Sequence, residues 1–204
     1  GVFRRQRQMC IRDRFTFDEG LSAAVKHVFV KLHQDGLIYK DKRLSNWDPK
    51  LKTTISDLEV IQKEVKGSLW YIDYNIEDSD EIITVATTRP ETMLGDTGIA
   101  VHPDDERYQK YIGKNAILPI VNKKIRIVAD DYAKADQGSG AVKITPAHDF
   151  NDFEVGKRNN LEVINIFDER ACLNENVPKK YQGLDRYVVR AVSYTHLTLP
   201  TKDS

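Results

Sequence analysis

A chain of 204 residues, 40% hydrophobic and 30% charged, has room for one sizeable core, or for one domain and part of another. Its 31 basic and 31 acidic residues cancel, so no global field advertises a nucleic-acid partner, although a local basic patch stays open. No apolar run approaches the roughly 18 residues of a membrane span, there is no signal-peptide h-region, and the two cysteines, Cys10 and Cys172, form no CxxC. The expectation is a reduced, cytoplasmic chain with no membrane attachment and no structural zinc.

Both ends read as foreign. GVFRRQRQMCIRDR is basic and aperiodic, and AVSYTHLTLPTKDS is rich in Thr and Ser, so 1–14 and 192–204 are expected to be adapter-derived. Between them, 16–19 has the spacing of a capping box, with Thr16 at the cap and Glu19 three later. Leu21, Val25, Val28, Phe29 and Leu32 then share one helical stripe and Gly36 supplies the stop, which predicts an amphipathic helix. Residues 37–39 read as a short strand. RLSNWDPKLKTTISDLEV after them reads as a loop, because Pro49 prevents a long regular element.

From Ser68 the texture changes to short strands. Residues 70–76 and 82–86 alternate or run apolar around the acidic turn EDSDE, and 98–102 is a further strand. PDDE at 103–106 has helix-start chemistry for 107–112, and ILPIVNKKIRIV reads as a hairpin turning at Asn122-Lys123. Residues 141–145 predict a strand, 150–158 a helix and 163–167 a strand. The fold class expected is α+β: a β-rich, barrel-like domain over 61–191, preceded by a helical piece over 15–60, with the change near 58–66.

The chemistry concentrates in KITPAHDFND, residues 143–152. Strand alternation puts Ala141, Lys143 and Thr145 on one face and Val142 and Ile144 on the other, so the polar pair faces a cleft or solvent. Pro146 ends the strand. Asp149 then stands where a helix N-cap belongs, with Asp152 three residues on and on the same face. Two acids there are favourable through capping and the helix dipole alone, each by on the order of 0.3–1 kcal/mol. The functional alternative is that a cation, a hydroxyl and two carboxylates surround one small volume. Gly138-Ser139-Gly140 lacks the spacing of a phosphate-binding P-loop. His148 with its aspartates hints at a metal, but the five histidines show no second-ligand spacing, and no metal is expected.

A second cluster, TVATTRPETMLGDTG, spans 84–98. Thr87, Thr88 and Arg89 just past a strand end suit an oxygen-rich ligand. The competing reading is a polar turn in which Arg89 pairs with Glu91 or Asp96. No Ser-His-Asp or Cys-His arrangement is apparent.

TTRPET at 87–92, GSGAVKITPAHDFNDFEVGKR at 138–158 and RLSNWDPKLKTTISDLEV at 43–60 together resemble the bacterial valyl-tRNA synthetases, over about residues 14–190. The resemblance implies the end of the class I catalytic half followed by the inserted editing domain. The family's HIGH-like and KMSKS-like motifs occur nowhere, so ATP belongs to the full-length parent and no cofactor is expected in this chain. A hydrophobic valine pocket cannot strongly reject threonine, a limit for which the valyl enzyme is itself the standard example, so a second site hydrolyses Thr-tRNA(Val). By similarity Asp149 would hold the α-ammonium, while Lys143, Thr145 and Asp152 would read the side-chain hydroxyl. Thr87, Thr88 and Arg89 would line the ester and the terminal adenosine, with Gly138 and Gly140 beside them. Gln137 stands where some relatives carry an aromatic residue near the adenine. Water, rather than a side-chain nucleophile, would attack, and His148 is read as structural. The implied partner is the tRNA(Val) 3′ end carrying threonine, bound by a monomer away from any membrane. Two alternatives stay open: a non-catalytic module that binds the tRNA 3′ end, and the editing domain of an isoleucyl or leucyl relative.

Overall fold

The computed structural model describes residue 15 and residues 17–197, the side chains of 192–197 excepted. The readings made on 1–14, Thr16 and 198–204 lie outside the described residues. The chain divides into two compact units between Arg43 and Leu44.

In the first unit the one regular element among the described residues is the helix α1 (Glu19–Gln34). Asp18 caps it, its Oδ1 accepting the Leu21 N–H at 2.7 Å. An acceptor carrying negative charge suits both the free amides and the positive end of the helix dipole. Gly36, at φ +73°, ends the helix in the left-handed region. None of the α1 residues is buried, and Val25, Val28 and Phe29 of the apolar stripe are exposed. The strand expected at 37–39 does not form. Three apolar residues with no neighbouring strand have no ladder to join.

The second unit opens with a small hairpin where a loop is expected. β1 (Asn46–Asp48) pairs antiparallel with β2 (Thr53–Ile55). Asp48 Oδ1 organises the turn between them by accepting from Lys50 N at 2.8 Å and Leu51 N at 3.1 Å. Pro49 falls in that turn, so its missing N–H costs no ladder bond.

Six strands form the main sheet: β3 (Trp70–Ile76), β4 (Ile82–Thr87), β5 (Gly98–Val101), β6 (Asn115–Leu118), β7 (Lys123–Ala129) and β8 (Ala141–Ile144). Their spatial order is β4-β3-β6-β7-β5-β8, antiparallel throughout except for the parallel pair β5–β7. The edge strands β4 and β8 approach each other, so the sheet curls into a nearly closed barrel. The β6–β7 hairpin pairs Leu118 with Lys123, which puts the reversal at 119–122 rather than at Asn122-Lys123. Ile120 and Asn122 take positive φ to make it.

Alternation along β3 sends Ile72, Tyr74 and Ile76 inward. They join Ile83, Val85, Ile99, Leu118 and Ile127 in the larger core, where each buried aliphatic side chain contributes about 1.5–3 kcal/mol. A smaller cluster of Ala100, Val128, Ile144, Val155 and Leu161 packs the helix α2 (Phe150–Arg158) on the other face of the sheet. The helix expected over 107–112 is a single 3-10 turn, Gln109–Tyr111. The strand expected over 163–167 is one isolated bridge, Phe167 to Leu173, because side-chain amides of Asn174 and Asn176 occupy the Asn165 carbonyl that a ladder would need. A last helix, α3 (Arg186–Leu197), continues through the backbone of 192–197, which the sequence groups with the tail. Among the described residues no helix is long and apolar enough to cross a membrane.

Candidate functional site

Two chain segments supply most of the site, and Leu69 and Tyr132 complete its lining. The first leaves β4 at Thr87, whose Oγ1 accepts the Arg89 N–H at 3.1 Å and turns the chain into a 3-10 helix, Pro90–Gly95. All six residues of that helix are buried. Thr92 Oγ1 donates back to the Arg89 carbonyl at 3.0 Å. Glu91 is gripped from α3 by Arg190, at 2.9 and 2.7 Å. Arg89 meets Glu91 only at 3.9 Å and instead donates from Nη1 to the His148 carbonyl at 3.0 Å. Arg89 remains half-exposed, its side chain at 48%.

The second segment is β8, Pro146 and the start of α2. β5 pairs antiparallel with β8, Gly98 opposite Ile144, and the Thr97 N–H donates to the Ile144 carbonyl at 3.0 Å. Asp96, two residues before Gly98, is thereby level with the end of β8. Lys143 and Thr145, 5% and 1% exposed, turn inward toward it rather than to solvent. Lys143 Nζ donates to Thr92 Oγ1 at 2.7 Å, Asp96 Oδ1 at 2.9 Å and Thr145 Oγ1 at 2.5 Å. Thr145 Oγ1 donates to Asp96 Oδ1 at 2.6 Å, and the Tyr74 hydroxyl donates to Asp96 Oδ2 at 2.7 Å. Burial pushes the Asp96 carboxyl up, and the Lys143 charge with the Thr145, Lys143 and Tyr74 hydrogen bonds draws it back. Burial, and then the adjacent Asp96, hold the Tyr74 phenol well above its ordinary value. A buried ion pair is seldom more stable than apolar residues of the same volume, so stability alone is a weak reason for this cluster.

Asp149 caps α2 with one oxygen, Oδ1 accepting from Asn151 N at 2.8 Å and Asp152 N at 3.2 Å. Asp152, 7% exposed, accepts the Thr145 N–H through Oδ2 at 2.9 Å. Burial raises its carboxyl to about 6, with Asp149 and Asp96 adding to the rise and the Thr145 N–H and Lys143 opposing it. His148 points its Nε2 at the Ile166 N–H, accepting at 3.1 Å, and sets its ring edge-on to Phe167. Burial lowers it to about 4, helped by Lys143 and Arg89. A neutral imidazole whose lone pair is engaged holds the chain between α2 and Ile166.

One cleft of about 220 Å³ is lined by Thr87, Thr88, Arg89, Lys143, Thr145, His148, Asp149 and Asp152. Gly138 and Gly140 are not in its lining. Both take positive φ in the loop before β8, and they bring its backbone close to neighbours: a Cβ on Gly138 would lie 2.8 Å from Ala86 Cβ, and one on Gly140 would lie 2.4 Å from Arg107 Nη2. Gln137 belongs to the same loop and is likewise outside the lining. Sequence reasoning missed Tyr74, Thr92 and Tyr132, and it offered Asp96 only as a partner for Arg89. Thr92 and Tyr132 line the cleft, whereas Asp96 and Tyr74 lie behind it. The available signal for Asp96 was a lone acid between the apolar stretches Met93–Leu94 and Ile99–Val101. Among the described residues no group of three or more His, Cys, Asp or Glu gathers as metal ligands would.

A family model described as tRNA synthetases class I (I, L, M and V) matches residues 10–195. The valine--tRNA ligase of Francisella tularensis subsp. tularensis (strain SCHU S4 / Schu 4) is 61% identical over 179 residues, covering 88% of this chain and 20% of that protein. That of Bradyrhizobium diazoefficiens is 68% identical over 170 residues, covering 80% of this chain and 18% of that protein. The chain thus spans about a fifth of the length of the curated relatives it matches. Among solved structures, the agnB2 LeuRS of Agrobacterium radiobacter K84, in a ternary complex with tRNA and LeuAMS, aligns with a TM-score of 0.50 at 19% identity. That alignment covers 89% of this chain and 31% of that one, and it is a likeness of fold.

Proposed function

Because the chain belongs to the class I tRNA synthetases and is similar to valine--tRNA ligases over most of its length, we propose that its cleft is an editing site that hydrolyses threonine misattached to tRNA(Val). Water adds to the ester carbonyl, the bond to the ribose oxygen breaks, and threonine and free tRNA(Val) leave. ATP has no part in this step and belongs to the remainder of the full-length relatives. The observation that carries the reading is the composition of one small cleft: Asp149 and Asp152 on one wall, the Lys143–Thr145 pair at the floor, and Thr87, Thr88 and Arg89 at the mouth.

Each group has a job that suits its chemistry. Asp149 uses one oxygen as a helix cap, and its carboxylate gives the α-ammonium a charge-assisted partner. Asp152 and the floor hydroxyls meet the threonine hydroxyl, which valine lacks. A site that hydrogen-bonds a substrate hydroxyl rejects the analogue without it, since its own buried polar groups would be stranded. Half-exposed Arg89 suits a phosphate of the terminal adenosine. His148 is an unsuitable base because its Nε2 already accepts a backbone N–H. Orientation of ester and water is then the main contribution. The partner is the 3′ end of tRNA(Val), met by a monomer in the cytoplasm.

Deacylation of Thr-tRNA(Val) and Val-tRNA(Val) by the chain tests the proposal. Selective release of threonine is expected, and no release of either would overturn it. The second reading, a module that binds the tRNA 3′ end without turnover, draws on the cleft lining holding no Ser-His-Asp or Cys-His arrangement. It predicts saturable binding of Thr-tRNA(Val) with the ester left intact.

A further inference from the structure

We infer that Asp96, although it does not line the cleft, sets which side chain the cleft accepts, by fixing the direction of the Thr145 hydroxyl. The inference rests on the hydrolytic reading and deepens it. The argument is an accounting of hydrogens. A lysine ammonium only donates, and the three short contacts of Lys143 use all three of its hydrogens, on Thr92, Asp96 and Thr145. Both hydroxyls must therefore accept from it. Thr92 gives its own hydrogen to the Arg89 carbonyl, an acceptor only. Thr145 gives its hydrogen to Asp96 Oδ1 at 2.6 Å, and Tyr74 secures the other carboxylate oxygen at 2.7 Å.

The floor that results offers a ligand no hydrogen at all. It presents one remaining lone pair on Thr92, one on Thr145, and the Asp152 carboxylate beside them. A side chain bearing a donor, as threonine does, satisfies these groups. An apolar methyl, or an acceptor of the same shape, leaves them without a partner. Without the Asp96 carboxylate, Lys143 regains a hydrogen and the Thr145 hydroxyl is free to swing outward and donate. The floor would then take donors and acceptors alike. Asp96 is thus a positioning residue acting through Thr145 and Lys143, and its signature is the ratio between substrates rather than the rate on one.

The test compares deacylation of Thr-tRNA(Val) and Val-tRNA(Val) by the wild type, Asp96→Asn, Thr145→Val and the double variant, each with a cooperative melting curve. Asn has one acceptor oxygen where Asp has two, so Tyr74 and the Lys143–Thr145 pair compete for it, the Thr145 hydroxyl loses its fixed direction, and the threonine preference should fall roughly tenfold. In the Thr145→Val background the same change should lower the preference no further, because the hydroxyl it directs is gone. An unchanged preference in folded Asp96→Asn, or losses that multiply in the double variant, would overturn the inference and leave the editing reading standing. A wild type that hydrolyses neither ester overturns both. Should Asp96→Asn fail to fold, the wild type alone decides. A 2-amino-3-fluorobutyryl ester, similar in shape to threonine but without the donor, should be cleaved at least about tenfold more slowly than the threonyl ester. Equal rates would show that the floor does donate, contrary to the assignment.

Discussion

Arg190 holds Glu91 through two bonds, at 2.9 and 2.7 Å, although the residues stand 99 positions apart. The pair fastens α3 to the buried 3-10 helix that carries Thr92, and it neutralises the acid nearest Arg89. Replacing it should therefore be felt at the mouth of the cleft. Arg190→Met leaves Glu91 buried and seeking its other neighbour, Arg89, now 3.9 Å away. Expected outcomes are a stability loss of about 1–3 kcal/mol and a several-fold rise in KM for the aminoacylated tRNA end. The value of kcat on threonyl ester should change little. Steady-state deacylation beside urea unfolding checks both parts, and a fall confined to kcat would contradict the role.

Local patterning made the strands of the main sheet and α2 legible in the sequence. The period of two in 70–76 and the cap-like Asp149 each follow from a few adjacent residues, and both elements stand where they are read. The 163–167 strand failed because pairing depends on a neighbour, and here Asn174 and Asn176 occupy the carbonyl of Asn165. Asp96 shows the same limit within the site. Its partners Lys143, Thr145 and Tyr74 meet it through the β5–β8 and β3–β4 pairings, and nothing in the letters around residue 96 points 47 or 49 positions ahead. The inward turn of Lys143 is illegible without that carboxylate, since a lone lysine on a strand defaults to solvent.

His148 provides a direct check on the identity of the base. His148→Gln keeps an acceptor for the Ile166 amide and removes the imidazole. Threonyl-ester hydrolysis should stay within a few-fold of wild type, because the Nε2 lone pair is already committed at 3.1 Å. A loss of about 10² or more in a folded variant would identify the imidazole as a general base after all.

The pH dependence of stability contains two opposed contributions. His148 is lowered from 6.5 to about 4, so its contribution is full above pH 6.5 and is lost as pH falls toward 4. Asp152 is raised from 3.8 to about 6, so its contribution is full below about pH 4 and is lost as pH rises through 6. Between pH 4 and 6 the slopes have opposite sign and comparable size, each integrating to about 3 kcal/mol over its full range. These two groups should therefore nearly cancel in the wild type. Asp152→Asn removes the falling branch. Relative to wild type it should gain about 2–3 kcal/mol between pH 4 and pH 7 in urea titrations. A difference independent of pH would show that Asp152 titrates normally.

Gly140 tests the support behind β8. Its φ of +84° and the tight fit under Arg107, itself pinned to Asp105 at 2.8 and 2.6 Å and to the Ala135 carbonyl at 2.7 Å, leave no room for a methyl group. Gly140→Ala should cost about 1–2 kcal/mol from the backbone alone, with more from displacing the guanidinium. A melting temperature within a degree of wild type would mean the loop adapts freely.

Asp149 separates a helix cap from a ligand group most sharply. Asp149→Asn preserves the size and one oxygen for the Asn151 and Asp152 amides, so the cap should survive with a loss of only a few tenths of a kcal/mol. An α-ammonium beside it fares differently. A carboxylate accepts from the ammonium with the help of its charge, whereas the amide offers one neutral oxygen and a repelling NH₂. Near-normal thermal stability should therefore accompany a tenfold to hundredfold drop in kcat/KM on Thr-tRNA(Val), chiefly through KM. Removing the ammonium from the substrate supplies the control. The 3-hydroxybutyryl ester, which lacks it, should be cleaved equally by the variant and the wild type. If the variant loses the same factor on both esters, Asp149 acts on the ester or the water rather than on the ammonium. If it loses nothing on either, the residue only caps α2.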